Sequence, residues 1–419
     1  MIDIKFVREN LEEVKKNVAK RGKHFDFDNL LKLDEERKSL QARIEMLRSE
    51  QNKLAKTGFS KETTISDETR EKAIEIKTML KDLEPQLQEA EEAFFNAQAY
   101  FPNMIDESVP TKEEGDRVEK SWGEIPKFNF AIKDHLEIGE KLDLIDMERA
   151  SRISGARFYF LKNELVLLEF ALIQYISQKL VQKGFTPMIT PDLVKQEAMY
   201  GTGFFPADKN EIYRINYDED DLYLIGTAEV PLASYHADET FKEEDLPKKY
   251  FGFSTCFRRE AGSYGRDTRG IIRVHQFDKV EMFVYSKPED SWKIFEELRQ
   301  INEEVFQELK LPYHQININA GELGQPNAKK IDTEVWIPSQ NTYRELTSCS
   351  NDTDFQARRL NTKYVNKEGK KEFVHTQNDT ALAMARVLVA ILENYQQEDG
   401  SVVVPEVLQK YTNFKVIKR

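Results

Sequence analysis

Residues 251–283, FGFSTCFRREAGSYGRDTRGIIRVHQFDKVEMF, concentrate the side chains best suited to chemistry. Alternation before Arg258 and after Gly270 predicts two strands, joined by a loop holding Gly262, Gly265, Gly270, Arg266 and Arg269. Residues two apart in a strand share a face. Arg258 therefore points with Glu260, and Arg273, His275, Phe277, Lys279 and Glu281 point together, while Ile272, Val274, Val280 and Met282 turn the other way. Such a charged face is either solvated surface or a site. A fixed arginine, a flat ring and two carboxylates beside a glycine-rich loop favour a nucleotide site, because arginine grips phosphate bidentately and an aromatic face stacks on a base.

Three other stretches offer partners for that chemistry. NDTALAMARVLVAILENYQ (378–396) reads as a helix that is apolar all round from Ala381 to Leu392, except for Arg386. A guanidinium in that setting needs an anion, which is either a structural carboxylate or a ligand phosphate. In GTAEVPL (226–232), Thr227 and Glu229 share a face and suit an ammonium-bearing ligand. In NTYRELTSCS (341–350), Glu345 and Ser348 are oxygen donors compatible with a hard cation such as Mg²⁺.

The elements that must position these residues follow two grammars. Residues 1–109 read as a helical, highly charged unit: a short helix from Phe6 to Val18, then long helices over about 29–56 and 68–99. Leu33, Leu40, Leu47 and Leu54 recur every seven residues with Ile44 between them, and Ile76, Leu80, Leu83, Leu87, Ala90, Phe94 and Ala97 step by four and three. That spacing keeps a seam toward a partner helix, so the pair is expected to fold back as an antiparallel hairpin around the turn at 57–67. Pro85 should remove one bond of the second helix, as a hinge or as a tolerated surface kink. The hairpin by itself reads equally as a dimerisation coiled coil. Residues 1–110 carry 19 Lys and Arg against 23 Asp and Glu, while 32–56 carry seven against five, a faint basic run on one helix. Residues 101–122 read as a linker. Beyond it, strands mix with helices at about 157–183, 289–310 and 380–396, without a βαβ rhythm, predicting an α+β domain over 110–419 built on an antiparallel sheet.

Composition restricts the partners. A net charge of −13 over 419 residues argues against loose adhesion to nucleic acid or an anionic membrane, so any RNA contact must be local. Cys256 and Cys349 are far apart, with no CxxC or cysteine–histidine pattern, so two reduced, buried thiols and no zinc are expected. Without an apolar leader or a membrane-spanning run, the chain is expected to be cytoplasmic and free of membranes.

Taken together, these stretches resemble the class II aminoacyl-tRNA synthetases and, among them, the seryl-tRNA synthetases of the common bacterial kind. GFTPMITPDL (184–193) looks like the family's first motif, with Pro191 at a homodimer interface; 251–283 matches the second almost throughout, and 378–396 looks like the third. The resemblance implies ATP and L-serine as substrates, Mg²⁺ as the accompanying ion, and tRNA(Ser), together with tRNA(Sec) where present, as acceptor. It implies catalysis by Arg258, Glu345 and Arg386. ATP contacts would come from Arg258, Arg259, Glu260, Val274, Phe277, Arg386 and the run Glu345, Leu346, Thr347, Ser348. The serine pocket would be Thr227, Ala228, Glu229, Arg258, Glu281, Asn378 and Thr380. Glu345 and Ser348 would hold Mg²⁺, Arg266 and Arg269 would meet the acceptor end, and the hairpin would be the tRNA-binding arm. One departure is that the third motif opens Asn-Asp-Thr-Ala at 378–381 where many members have Asn-Gly-Ser-Gly, so Asp379, Thr380 and Ala381 are expected to narrow the pocket.

The rival readings lack support in the residues. HIGH-like and KMSKS-like segments of a class I enzyme and the GxxxxGK[ST] loop are absent. A ligase loading a carrier protein would lack the long arm, and a regulatory paralogue would have lost Arg258, Glu345 or Arg386.

Overall fold

The computed structural model describes the chain apart from residues 59–66, 217, 218, 220, 262–266 and 268. Most of the expected 57–67 turn, and Gly262, Gly265 and Arg266, therefore lie outside the described residues. The chain divides into two compact units, one of Ile2–Ala19 and Lys23–Phe101, the other of Met1, Lys20–Gly22 and Pro102–Arg419.

The first unit is helical: α1 (Ile4–Glu9), α2 (Leu11–Ala19), α3 (Phe27–Gly58) and α4 (Asp67–Gln98). Asp3 caps α1 by accepting from the Lys5 and Phe6 amides. The single helix expected over 6–18 is instead split at Asn10, whose side-chain amide donates back to the Phe6 carbonyl at 3.2 Å while its own φ leaves the helical range at −133°. The seam of the long pair forms as its spacing dictates. Ile44 and Leu47 of α3 bury against Ile76, Leu80 and Leu83 of α4, flanked by Leu40, Leu54 and Leu87. Pro85 lies on the exposed side of α4, which continues on both sides of it, so it acts as a tolerated surface residue.

The second unit is organised by an eight-stranded sheet among the described residues. Its strands are β1 (Arg117–Trp122), β2 (Thr186–Ile189), β3 (Lys248–Phe257), β4 (Gln276–Ser286), β5 (Tyr313–Asn317), β6 (Lys329–Ile337), β7 (Thr342–Thr353) and β8 (His375–Ala383). The order is β1-β5-β6-β7-β8-β4-β3-β2, antiparallel except for the β2–β3 pair. One face is covered by α5 (Glu164–Gln182), α7 (Ser291–Glu308) and α8 (Met384–Asn394), the short α6 (Glu229–Ser234) lying at the other. Leu168, Leu172 and Ile176 of α5, Phe295, Leu298 and Val305 of α7, and Val387, Leu388 and Ile391 of α8 meet Val280, Met282 and Val284 of β4 in one core. Cys256 and Cys349 are free and buried.

Four boundaries differ from the sequence reading. The supposed linker contributes β1, an edge strand whose Trp122 stacks on Tyr313 of β5 with ring centroids 5.8 Å apart. The helix expected from 157 begins at Glu164, behind Asn163 with φ +53°. The strand expected after Gly270 starts at Gln276, so Arg273 and Val274 reach the cleft from a loop, while His275 does not line it and stacks on Phe158. The helix expected from 380 is strand β8 through Ala383, and Asn378 and Thr380 are strand residues.

Two single-residue bulges decide which side chains face the open side of the sheet. Between β4 and β8, Val280 pairs with Leu382 but Glu281 pairs with Thr380, leaving Ala381 extra. Between β6 and β7, Thr333 pairs with Thr347 but Glu334 pairs with Glu345, leaving Leu346 extra. In a regular strand Glu345 and Ser348, three apart, would face opposite ways; the extra residue brings both to one face.

Candidate active site

On the open face lies a cleft of about 340 Å³. One set of its lining residues is cationic and aromatic. Arg258 leaves the end of β3 with its amide bonded to the His275 carbonyl, its Nε donating to Gly226 O at 3.2 Å, and its guanidinium 5.3 Å from the Phe277 ring centroid. That combination holds the guanidinium beside the ring. Glu260, with φ +51°, turns its carboxylate back to accept from Arg273 Nη1 at 2.7 Å. Across the cleft, α8 carries Arg386, the break in its apolar surface. Its Nη1 donates to the Glu345 carbonyl at 2.7 Å and lies 3.4 Å from the Glu345 carboxylate. The open question about Arg386 thus resolves as a carboxylate partner and a cleft-facing cation together. Desolvation works against the Glu345 charge, but Arg386, Lys330 and Arg258 hold its carboxyl below the ordinary range.

A second set is buried and polar. Lys279 Nζ lies 2.5 Å from Glu281 and donates to the Thr227 hydroxyl at 2.7 Å and the Thr380 hydroxyl at 3.3 Å. Glu281 also accepts from Thr380 Oγ1 at 3.0 Å and Asn378 Nδ2 at 3.2 Å. Glu229, at the start of α6, accepts from Gln356 Nε2 at 2.8 Å. Burial, with Asp352 and Glu281 adding like charge, pushes its carboxyl up to about 8.

Most of the expected site residues converge here: Thr227, Glu229, Arg258, Glu260, Val274, Phe277, Glu281, Glu345, Leu346, Ser348, Asn378, Thr380 and Arg386 all line the cleft. Others do not. Ala228 packs into a core with Leu232 and Phe283. Thr347 faces α7, where its hydroxyl accepts from Asn302 at 3.0 Å. Arg259 is exposed, its amide bonded to the Glu211 carbonyl. Arg269 is exposed and pairs with Asp134 at 3.3 Å. Asp379 and Ala381 do not narrow the pocket either. Asp379 turns to the opposite face, where Asn302 donates to it at 2.7 Å, and Ala381 lies in the core, so of the three departures Thr380 alone enters the cleft.

Several lining residues had no role in the sequence reading, among them Lys279 and a wall near 322–327. Lys279 was on the named face, and a lysine inside a strand with Val280, Met282 and Val284 was a usable signal. The wall formed by Glu322, Gly324, Pro326 and Asn327 had no local signal. It is held from a distance by buried Arg21, which donates to the carbonyls of Leu323 and Gly324 at 3.1 Å, Asn327 at 2.8 Å and Asn103 at 3.2 Å.

The donor set also bears on a divalent cation. Glu345 and Ser348 share the cleft face, and beside Ser348 the buried Asp332 Oδ1 finds no hydrogen-bond partner among the described residues, an oxygen-rich arrangement suited to Mg²⁺. Among the described residues no three His, Cys, Asp or Glu side chains gather as a self-sufficient metal cluster.

Comparison with known proteins agrees with this architecture. The family model described as the seryl-tRNA synthetase N-terminal domain matches residues 1–105, and the tRNA synthetase class II core domain (G, H, P, S and T) matches 213–395. The serine–tRNA ligase of Dictyoglomus turgidum is 45% identical, with 100% of this chain and 99% of that protein covered, and that of Rhodococcus jostii is 46% identical, with both covered completely. The crystal structure of seryl-tRNA synthetase from Pyrococcus horikoshii complexed with ATP superposes with a TM-score of 0.90 at 42% identity, covering 100% of this chain and 99% of that one. Prolyl-tRNA synthetase from Giardia lamblia, at 16% identity and a TM-score of 0.58 over 67% of this chain and 57% of that one, shares the fold of the core. Relatives of this identity, matched from end to end and carrying the same pairing of helical hairpin and antiparallel core, place the chain in the seryl-tRNA synthetase family.

Proposed function

We propose that this serine–tRNA ligase activates L-serine with ATP in the cleft described above and passes the aminoacyl group to the 3′ end of tRNA(Ser), and of tRNA(Sec) where present. The observation that carries the reading is that one cleft joins two arginines, one of them beside an aromatic ring, to a buried set of carboxylates and hydroxyls. The first set suits a nucleoside triphosphate, the second a small hydroxy amino acid.

Arg258 holds the α-phosphate and Phe277 stacks on adenine, whose amino group Glu260 reads; Arg386 holds the γ-phosphate. Glu345 and Ser348 are the oxygen donors placed to hold Mg²⁺ together with ATP, and the ion would supply further neutralisation of phosphate charge. Glu229 receives the serine ammonium with Thr227, while Glu281, Thr380 and Asn378 receive the hydroxyl. The serine carboxylate oxygen forms a bond to the α-phosphorus as the α–β bridge breaks, and the electron pair leaves with pyrophosphate. The ribose hydroxyl at the tRNA terminus then attacks the adenylate carbonyl, and AMP departs. No protein nucleophile is required, because positioning and charge neutralisation supply the acceleration.

Residues 1–109 act as the tRNA-binding arm and 110–419 as the catalytic domain, with Arg266 and Arg269 reaching the acceptor end. Ile189 of β2 is 88% exposed and Phe170 of α5 61%. Exposed apolar side chains of this size, Ile189 standing two residues before Pro191, suit a homodimer interface. No helix among the described residues is long and apolar enough to cross a membrane; the working compartment is the cytoplasm.

ATP–pyrophosphate exchange with each of the twenty amino acids tests the reading. Exchange with serine alone is expected; exchange with a different amino acid, or with none, overturns it.

A pH dependence follows from Glu229. Unfolded, its carboxyl ionises near the ordinary value of about 4.3; folded, it keeps its proton to about 8. Between those values the folded state binds more protons, so this group's contribution to stability falls as pH rises through the window. Ammonium binding needs the ionised form. The KM for serine is therefore expected to fall from about pH 6 to pH 8, by up to about tenfold per unit, and then level off. A KM that stays flat over that range, or a Glu229→Gln variant that keeps the same slope, would remove Glu229 from the ammonium site.

A further inference from the structure

The buried wall of the cleft holds an ammonium to which the reaction above gives no role. Lys279 is 5% exposed, and Glu281, Thr227 and Thr380 take its three donor directions at 2.5, 2.7 and 3.3 Å. An ammonium so coordinated, on a strand inside the sheet, is a fixed charge. The carboxylates on this wall of the cleft are Glu281, which is 1% exposed, and Glu229; behind them Asp352 and Asp379 are fully buried, and burial pushes both of their carboxyls up, toward the neutral form. Once the incoming ammonium draws the proton from Glu229, two carboxylates and one lysine leave room for that one positive charge, which is what an amino acid with a neutral side chain brings. An unpaired buried charge is strongly disfavoured, so this inventory is itself a filter.

We propose that Lys279 is a specificity-determining residue. By neutralising Glu281 it commits that carboxylate, with Thr380 and Asn378, to a neutral side-chain hydroxyl, and leaves Glu229 as the single carboxylate for the substrate ammonium. The inference rests on the serine-activating reading and deepens it. The ligand class that it excludes is the diamino acid of the same size, L-2,3-diaminopropionate, in which an ammonium replaces the hydroxyl. Shape cannot reject that molecule, because the exchanged groups are nearly equal in volume. Repulsion from the Lys279 ammonium can. Without Lys279, the pocket would hold two uncompensated carboxylates and match a dication.

The test uses the full-length enzyme in serine-dependent ATP–pyrophosphate exchange at mildly acidic pH, with L-2,3-diaminopropionate and L-alanine as competitors. The wild-type protein is expected to bind diaminopropionate about tenfold or more weakly than alanine, which lacks the group altogether. Lys279→Met is expected to lose serine activity and to shift the ratio of kcat/KM for diaminopropionate over serine upward by at least about tenfold. Lys279→Arg, which keeps the charge, is expected to go on excluding diaminopropionate. A purely structural lysine would lower activity toward both substrates together and leave the ratio unmoved, and that result overturns the proposal. So does a wild-type enzyme inhibited by diaminopropionate as well as by alanine, a measurement that does not depend on any variant folding. Absence of serine exchange in the wild type would overturn the serine-activating reading itself, and this inference with it.

Discussion

Arg258→Ala is expected to lower serine-dependent ATP–pyrophosphate exchange by at least about 1000-fold, a loss of ~4 kcal/mol in transition-state stabilisation. The side chain is positioned for this and for little else. Its Nε is fixed by the Gly226 carbonyl at 3.2 Å and its plane lies by the Phe277 ring, which leaves the remaining guanidinium donors pointing into the cleft. Negative charge builds on the α-phosphate oxygens as the carboxylate adds, and a pre-oriented cation meets it without rearrangement. Because Arg258 is only partly buried and its loss frees one carbonyl, that of Gly226, the unfolding midpoint should move by no more than a few degrees. Arg258→Lys restores charge without the bidentate fork and is expected to recover part of the loss, remaining about tenfold or more below wild type. Exchange by Arg258→Ala within tenfold of wild type would remove Arg258 from the phosphate site. Arg386→Ala is less clean, because it also releases the Glu345 backbone and carboxylate that Arg386 holds.

How far the site could be read in advance depends on periodicity. The hairpin seam was legible because Ile44, Leu47, Ile76, Leu80 and Leu83 repeat at helical spacing and do bury together. Phe277, Lys279 and Glu281 were legible as one face because β4 alternates regularly, the extra residue of the bulge lying on β8. The extra residues Ala381 and Leu346 were not legible, since a one-residue insertion in a strand leaves no compositional trace yet exchanges the faces of everything beyond it. The insertion at Leu346 is why Glu345 and Ser348 share the cleft face although three apart; Asp379, Ala381 and Thr347 turn away by ordinary alternation beside Thr380 and Ser348, and the first two were misplaced because 378–383 is strand where a helix start was expected. Short-range pattern also misses non-local supports. Arg21 sits in a polar N-terminal stretch, and nothing around it announces four carbonyls contributed by segments near 103 and 323–327.

Removing the distal hairpin should separate the two half-reactions. The cut is best made at residues 41–87, because the base of the unit has its own contacts. Asp34, 1% exposed, pairs with Arg8, Arg37 and Lys38; the Arg37 guanidinium lies 4.2 Å from the Phe94 ring centroid; and Phe27 meets Phe101 edge-on with centroids 4.9 Å apart. The ends of two packed antiparallel helices are about 8–10 Å apart, so a linker of a few residues rejoins them without strain. Serine-dependent exchange is expected to stay within about twofold of wild type, because no cleft residue comes from 41–87. Aminoacylation is expected to fall about 100- to 1000-fold, the loss of ~3–4 kcal/mol of tRNA binding. Net charge is not the whole of that binding. Arg37 and Lys38 are engaged with Asp34, and Arg48 pairs with Glu84 at 2.8 Å, so the basic run is partly neutralised within the hairpin. The arm must then contribute through shape along its length as well as through the remaining cations, and the salt dependence of tRNA affinity should be shallow for so long a contact. If the truncated enzyme charged tRNA at the wild-type rate, the hairpin would not be the tRNA-binding element, and its seam would have to serve another partner.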